Sequence, residues 1–492
     1  MSDREAEYKE RIRANLENVL DSGFVPELGE HKKGKVRDVH FSGDKVVMVA
    51  SDRVSCFDRV LSRCIPYKGA VLNLFNRWAM ENSSEIVPNA MLESPDVNVI
   101  VQRKLKNAGF ECVVRGYVWG SLASDYEQGL REKSGVRLPD GWLRYQKLPH
   151  PMFTPAAKEE TGHDEDVGLE DIEKVHGRVM ADIIKHTSRK LYERGAELAE
   201  RAGMLFIDTK YEFGLDEQGN LYLIDEANTP DSSRYCDRKE WEEKFAKIQE
   251  LMKDSSTITR LKARTSSLDV SSLLNHFEPQ LKIKEASKQF VRDVLIKAGY
   301  REGMPLPELT DEQVVETAWR YISSYERLTG KKFDFSASEL PTARKRIMNN
   351  LVRAGLAYGG CVVPIGASGN DKEHWGKLEA ALKEAGIPFT KPFYASAHKE
   401  TRRVLDFVAD MDSTSIEPLV YLTFAGRSNG LGPVVAGNTN YPVITCPVFS
   451  DIASYAVDIH SSLRMPSRLP LATIVDPGNA ALFAKRVIGV LK

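Results

Sequence analysis

From Cys361 onward the sequence alternates short apolar runs with helical segments: CVVPIGASGNDKEHWGKLEAALKEAGIPFTKPFYASAH, then KETRRVLDFVAD, PLVYLTFAG, PVITCPV and a closing NAALFAKRVIGVLK. Few folds accept strand, glycine turn, helix and strand in repetition, because neighbouring parallel strands need a crossover and a helix usually supplies it. The expectation is an α/β three-layer domain, a parallel sheet with helices on both faces. In such sheets ligands sit beyond the carboxyl ends of the strands.

The first two thirds read differently. DKVVMVAS (44–51), VNVIVQRKL and FECVVRGYVWG are β-rich stretches. From Asp171 to a stop at Gly203, Ile172, Val175, Val179, Ile183, Ile184, Thr187 and Leu191 recur every three or four residues, which predicts one amphipathic helix. MLFIDTKYEFGLDEQGNLYLIDEAN then reads as two strands joined by a polar turn around Gly219 and Asn220. Residues 240 to 350 are charged and helical, interrupted near 250–280 by the polar SSTITRLKARTSSLDVSSLL, which reads as an insertion. The expected fold here is α+β, antiparallel sheets with helices. Boundaries are placed at 1–333, a linker at 334–357 and a second domain at 358–492.

Composition limits the function classes. A chain of 492 residues with 42% hydrophobic content needs more than one core, since single cores rarely outgrow about 250–300 residues. With 68 basic and 70 acidic residues the net charge is -2, which gives no global field for nucleic acid, so any phosphate site is local. The start MSDREAEYKERIRANLENVL is charged, and there is no apolar run of about 18 residues to span a membrane. A soluble, cytoplasmic protein with reduced cysteines is expected.

Two places in the first region carry charge in a pattern. Gly34-Lys35-Val36-Arg37-Asp38 sets a glycine and two cations before a strand pair, where backbone N–H groups and an ammonium can cradle a polyphosphate. Alone, such a turn reads as a solvated loop, and it is not a Walker loop. Asp208, Lys210 and Glu212 alternate along one predicted strand and so share a face, with Asp225 and Glu226 on the next. Crowded carboxylates suit Mg²⁺ on nucleotide phosphates, and Glu212 with Asp225 is the candidate pair; a solvated hairpin face is the other reading.

In the last region three strands end in polar loops on one edge: Gly366-Ala367-Ser368, Ser396-Ala397-His398-Lys399, and Ala425-Gly426-Arg427-Ser428-Asn429-Gly430. The helix after the first begins near Asp371, so its N–H groups face whatever lies above the sheet.

Taken together and in order, GKVRD, ECVVRGYVWGS, FTPAAKEETGHDED, IDTKYEFG, LIDEANTPDSSRY and QFVRDVLIKAGY with YERLTG resemble SAICAR synthetase over residues 24 to 333. The resemblance implies ATP-driven condensation of a carboxyaminoimidazole ribotide with L-aspartate, a ligase reaction of purine biosynthesis. It implies that Lys35, Arg37, Lys210, Glu212 and Asp225 serve ATP. Mg²⁺ falls to Glu212 and Asp225 with Asp164, whose GHDED loop also holds Glu165. Arg115, Ser121, Ser233 and Arg234 are implied to hold the ribotide.

SAHK, AGRSNGLGPVVAGNTNYPVITCP and NAALFA likewise resemble an aminoimidazole ribotide carboxylase of the type that uses CO2 directly and no ATP, over Gly360 to Leu491. The related mutase spells the third loop with Ala-Ala-His, unlike Arg427-Ser428-Asn429-Gly430. By resemblance His398 transfers the proton, Lys399 and Ser428 bind the nascent carboxylate, and Ser368, Asp371, Ser396, Arg427 and Asn429 hold the ribotide. One loop departs: the family's Gly-Ser-x-Ser-Asp is Gly366-Ala367-Ser368-Gly369-Asn370-Asp371 here, one residue longer.

The product of the second reaction is the substrate of the first, and the order of domains resembles the multifunctional ligase–lyase of animals, with assembly as a homo-octamer through the C-terminal domain. The altered loop keeps one alternative open, an active synthetase whose carboxylase-like domain serves only as an oligomerisation scaffold. A nucleotide-binding regulatory protein without catalysis is another.

Overall fold

The computed structural model describes residues 3–157, 165–265, 268–285, 289–301, 303–449 and 451–491. Two compact units form: Met1–Val19 with Asp52–Ser338, and Leu20–Ser51 with Glu339–Lys492.

The first unit is built on an antiparallel sheet. Its central strand, Met204–Leu215, pairs with Lys106–Tyr117 on one side and with Leu221–Ile224 and Ser233–Asp237 on the other. Lys147–Phe153 and Ala156–Ala157 extend the sheet beyond Lys106–Tyr117. The expected hairpin is present. Its turn closes where the Asp216 carboxylate accepts from the N–H groups of Gln218 and Asn220, at 3.0 and 2.8 Å, with Gly219 at φ 81. Register brings Asp208 opposite both Arg115 and Arg234, and Glu212 opposite Glu111. Strand alternation therefore gathers these charged side chains on one face.

The other face is covered by the helix Arg178–Arg201. Tyr192 OH donates to the Phe206 carbonyl, and a Cβ on Gly195 would meet the Phe206 ring at 2.7 Å. The single helix expected from Asp171 is in fact two, Leu169–His176 and Arg178–Arg201, broken at Gly177 with φ 79. Ile172, Ile184 and Leu191 are buried as the periodicity requires, but Val175, Val179 and Ile183 are 64%, 76% and 43% exposed. The stripe that meets the sheet runs instead through Ala181, Ile184, Ser188, Leu191 and Gly195. Close packing on a sheet selects small residues that hydrophobic periodicity does not count.

The polar 250–280 stretch folds into two short helices, Ser255–Arg264 and Val270–His276. Each is capped by an aspartate, Asp254 accepting from the Thr257 N–H and Asp269 from the Ser272 N–H. Val270 and Leu274 pack with Tyr117, Trp119 and Tyr145, so this segment belongs to the core of the unit.

The second unit contains the parallel sheet, in the order Phe393–Tyr394, Cys361–Gly366, Leu419–Phe424, Val443–Thr445, Ala472–Thr473. Helices cover both faces. Val404 and Val408 of Thr401–Thr414, with Leu431 and Val435, fill one side. Trp375, Leu378 and Leu382 of Lys372–Ala385, with Ala480, Ala484 and Ile488 of Pro477–Leu491, fill the other. The Ala343–Arg353 helix, within the stretch read as a linker, buries Ile347, Met348 and Leu351.

An antiparallel set, Glu30–Lys33, Arg37–Ser42 and Lys45–Ala50, also belongs to this unit. GKVRD does not precede a strand pair, as the sequence suggested, but forms the turn inside one. The Gly34 N–H donates to the Arg37 carbonyl at 2.8 Å, and Arg37 and Asp38 are already strand residues. Among the described residues no helix is long and apolar enough to cross a membrane.

Candidate functional site

In the first unit the charged face of the sheet forms the floor of a cleft of ≈ 200 Å³, lined by Arg115, Ser121, Asp208, Lys210, Ser233 and Arg234 among others. All four residues assigned to the ribotide thus meet Lys210 in one cavity. Asp208 organises the two arginines: its Oδ2 lies 3.3 Å from Arg115 Nη1 and also accepts from Arg234 Nη1. Arg115 Nε donates to Thr154 Oγ1 at 3.0 Å. Burial pulls the Arg115 pKa down against the pull of Asp208, whereas for Arg234 the Asp208 charge dominates and raises it. Both guanidinium groups are held as cations facing a polar cavity, the arrangement that binds phosphate or carboxylate.

Ser121 lies in the first turn of the helix Gly120–Glu127, and Gly120 has φ 56. This left-handed backbone favours glycine, and a Cβ there would lie 2.7 Å from Arg234 Nη1 and push the guanidinium aside. Ser233 Oγ is 2.7 Å from Thr209 Oγ1.

Lys210 lies one strand step along the same face and pairs with Glu111 Oε1. Burial works to lower its pKa, but the charges of Glu111, Glu212 and Asp225 outweigh it and hold the ammonium above the ordinary lysine range. Glu212 is buried and accepts from Asn107 Nδ2 at 3.2 Å. Asp225 follows the Leu221–Ile224 strand with φ 59. Hard carboxylate oxygens beside a lysine fit a Mg²⁺ ion carried on phosphates, which takes one or two carboxylates and completes its shell with phosphate and water. Among the described residues no three His, Cys, Asp or Glu side chains form a metal cluster. Asp164 lies outside the described residues. Lys35 and Arg37 belong to the second unit, Lys35 in the hairpin turn and Arg37 at the start of a strand.

Sequence reasoning did not pick out Glu111 or Glu285. Glu111 shares a face with Arg115 by strand spacing, a readable signal, but its pairing with Lys210 depends on register. Glu285 lies 3.7 Å from Arg234 Nε and accepts from Trp119 Nε1, and burial raises its pKa. With Gln289 and Arg292 it lines both this cleft and an adjoining cavity of ≈ 430 Å³.

In the second unit the strand-end loops do converge. His398 Nε2 lies 3.5 Å from Ser428 Oγ, and a Cβ on Gly430 would meet His398 Cε1 at 3.2 Å. Asp371 Oδ2 accepts from the Ser368 N–H at 2.9 Å and from Ser368 Oγ at 3.2 Å. Its other oxygen faces Gly426, 3.8 Å from a Cβ built there. The lengthened first loop therefore still brings its aspartate to the third loop. Ser396 Oγ accepts from the Lys399 N–H at 3.3 Å, and the Lys399 side chain is exposed. Arg427 and Asn429 both have positive φ, 58 and 46, so the exposed Ser428 sits at the tip of a strained loop. Asn429 is buried instead, its Nδ2 donating to the Asp458 carbonyl at 3.3 Å, while its Oδ1 has no hydrogen-bond partner among the described residues.

A family model described as SAICAR synthetase matches residues 30–261. The phosphoribosylaminoimidazole-succinocarboxamide synthase of Cytophaga hutchinsonii is 40% identical over 328 residues, covering 65% of this chain and 94% of that protein. The chain belongs to the SAICAR synthetase family. The Bacteroides thetaiotaomicron member is 37% identical over 327 residues, 65% of this chain and 93% of its own. The SAICAR synthetase fold is matched in the solved SAICAR-synthase from Saccharomyces cerevisiae complexed with SAICAR, with a TM-score of 0.50 and 25% identity over 62% of this chain and 97% of that one. A second family model, AIR carboxylase, matches residues 361–492. This SAICAR synthetase relative is thus bifunctional in architecture, with an AIR carboxylase family domain on the same chain.

Proposed function

We propose that the chain performs two consecutive reactions of purine biosynthesis, with residues 358–492 carboxylating aminoimidazole ribotide with CO2 and residues 1–333 condensing the product with L-aspartate at the expense of ATP. The observation that carries the synthetase half is the Arg115–Asp208–Arg234 cluster meeting Lys210 in one cleft.

A carboxylate is a poor electrophile. Its oxygen takes the γ-phosphoryl of ATP, ADP leaves, and the aspartate amine then attacks the acyl phosphate, releasing phosphate and forming the amide. No protein nucleophile is needed; positioning and charge stabilisation supply the catalysis. Arg115, Arg234, Ser121 and Ser233 hold the ribotide. The Lys210 ammonium, kept protonated by its three carboxylates, faces the transferring phosphoryl oxygens. Glu212 and Asp225, with Asp164 by resemblance, would hold Mg²⁺, which shields the phosphate charge. Lys35 and Arg37 are assigned to the nucleotide phosphates by resemblance alone.

In the carboxylase half, the enamine carbon of the aminoimidazole attacks CO2 and the proton on that carbon must then leave. His398 takes it, with Lys399 and Ser428 on the new carboxylate and Ser368, Asp371, Ser396, Arg427 and Asn429 around the ribotide. The approach of His398 to Ser428, and of Asp371 to Gly426, supports this reading over an inert scaffold. Assembly as a homo-octamer through this unit is assigned by resemblance; Val457, Leu463 and Leu482, at 71%, 58% and 53% exposure, are apolar residues that such a contact would cover.

The test supplies carboxyaminoimidazole ribotide and ATP and follows ADP release. Release that depends on L-aspartate supports the synthetase; ATP binding with no aspartate-dependent turnover would leave only the regulatory reading.

A further inference from the structure

Asp225 is held in an unusual way. Continuing the register of Leu221–Ile224, in which Ile224 faces Glu212, would set Asp225 opposite Tyr211 and turn its side chain to the face away from Lys210. Its φ of 59 breaks that alternation, a left-handed conformation that aspartate adopts only at a cost. Two buried amides impose it. Gln102, 3% exposed on the Val99–Arg103 strand, donates from Nε2 to the Asp225 carbonyl at 2.9 Å and accepts the Asp225 N–H on Oε1 at 3.0 Å. Asn76, fully buried on the Lys68–Ser83 helix, donates from Nδ2 to the same carbonyl at 3.0 Å and accepts the Ala227 N–H at 3.0 Å. Four hydrogen bonds from two side chains thus fix one backbone step. Eight residues earlier on the same helix, the buried Lys68 pairs with Asp231 Oδ2 at 2.8 Å, so the loop is tied at both ends.

The strand has already ended at Ile224, so the clamp lies beyond the hairpin's own hydrogen-bond ladder. We propose that Asn76 and Gln102 are positioning residues whose task is to aim the Asp225 carboxylate at the metal-bearing phosphates of ATP. The inference rests on the reading of Asp225 as a Mg²⁺-side carboxylate and deepens it. Groups that orient a metal-side carboxylate change metal-dependent affinity without touching the ligand.

The test is calorimetric binding of ADP to the full chain, with Mg²⁺ and in its absence, for wild type, Gln102→Met, Asp225→Asn and the double variant, each checked by thermal melting. Gln102→Met is expected to weaken Mg·ADP by about tenfold or more, while metal-free ADP binding stays within about twofold. In the Asp225→Asn background it should add less than about twofold, because both changes remove the same interaction. Asn76→Ser, which shortens one arm of the clamp, is the gentler second variant and should shift Mg·ADP affinity the same way. An equal loss with and without Mg²⁺, or a full further loss in the double variant, overturns the clamp while leaving Asp225 its role. An Asp225→Asn variant that binds Mg·ADP as wild type does overturns the reading of Asp225 and the clamp with it.

Discussion

Asp208 and Arg234 are register partners on neighbouring antiparallel strands, and the guanidinium of Arg234 donates directly to the Asp208 carboxylate. Because Arg115 approaches the same oxygen, one buried carboxylate sets the position of two cations. Asp208→Asn removes the carboxylate that both guanidinium groups share and leaves Arg234 with the more distant Glu285, at 3.7 Å. Removing one partner of a buried pair costs about 3–5 kcal/mol, and denaturant unfolding should register a loss of that order. Steady-state kinetics should show KM for the carboxylated ribotide raised about tenfold or more with KM for ATP little changed.

Lys210 is expected to act as a fixed cation. Lys210→Met should lower kcat of the synthetase reaction by about 100- to 1000-fold, the scale for losing one preorganised stabiliser of transition-state charge. Its folded-state pKa is raised above the ordinary value, so the stability it contributes is fully present below about 10.4 and is lost as pH rises through the raised value. Alkaline melts of wild type and Lys210→Met should therefore converge at high pH.

Glu417 gives a prediction of the same pH sign in the second unit, but from a group whose charge is unfavourable there. It is buried and accepts from the Glu27 N–H at 2.7 Å. Burial, then the neighbouring Glu27 charge, push its pKa well above the usual carboxylate range. The native state favours the protonated form, so the stability this group contributes is fully present below about 4.3 and is lost as pH rises through the raised native value. Glu417→Gln keeps an acceptor and removes the charge. It should raise Tm at pH 8 and flatten the pH dependence above pH 5; a lower Tm at pH 8 would contradict this.

The sequence was most legible where chemistry and periodicity coincide. Asp208, Lys210 and Glu212 share a face because a strand alternates, and the parallel sheet follows from strands that need helical crossovers. What resisted reading depends on register and on non-local contact. Glu111 reaches Lys210 only because the Lys106–Tyr117 strand pairs in one register, and Gln102 acts on a residue more than a hundred positions away. Val175, Val179 and Ile183 misled the periodicity because Gly177 breaks the helix and the contact stripe is made of small residues. The spelling of the GHDED loop named Asp164, which lies outside the described residues.

The apolar residues left at the surface of the second unit predict assembly. Val457→Asp combined with Leu463→Asp should lower the sedimentation mass of the full chain while leaving the secondary structure content unchanged. A wild-type mass equal to one chain would contradict assembly, and any mass other than eight chains would contradict the octamer.

The most direct measurement follows both reactions on one chain. Aminoimidazole ribotide, bicarbonate, ATP and L-aspartate are incubated with the full protein and with His398→Asn. The wild type should form carboxylated ribotide without ATP or aspartate, and SAICAR when both are added. His398→Asn should lose carboxylation by about 100-fold or more yet still make SAICAR from supplied carboxyaminoimidazole ribotide. A wild-type chain that makes SAICAR only from the supplied intermediate, and never from aminoimidazole ribotide, would contradict the two-reaction account.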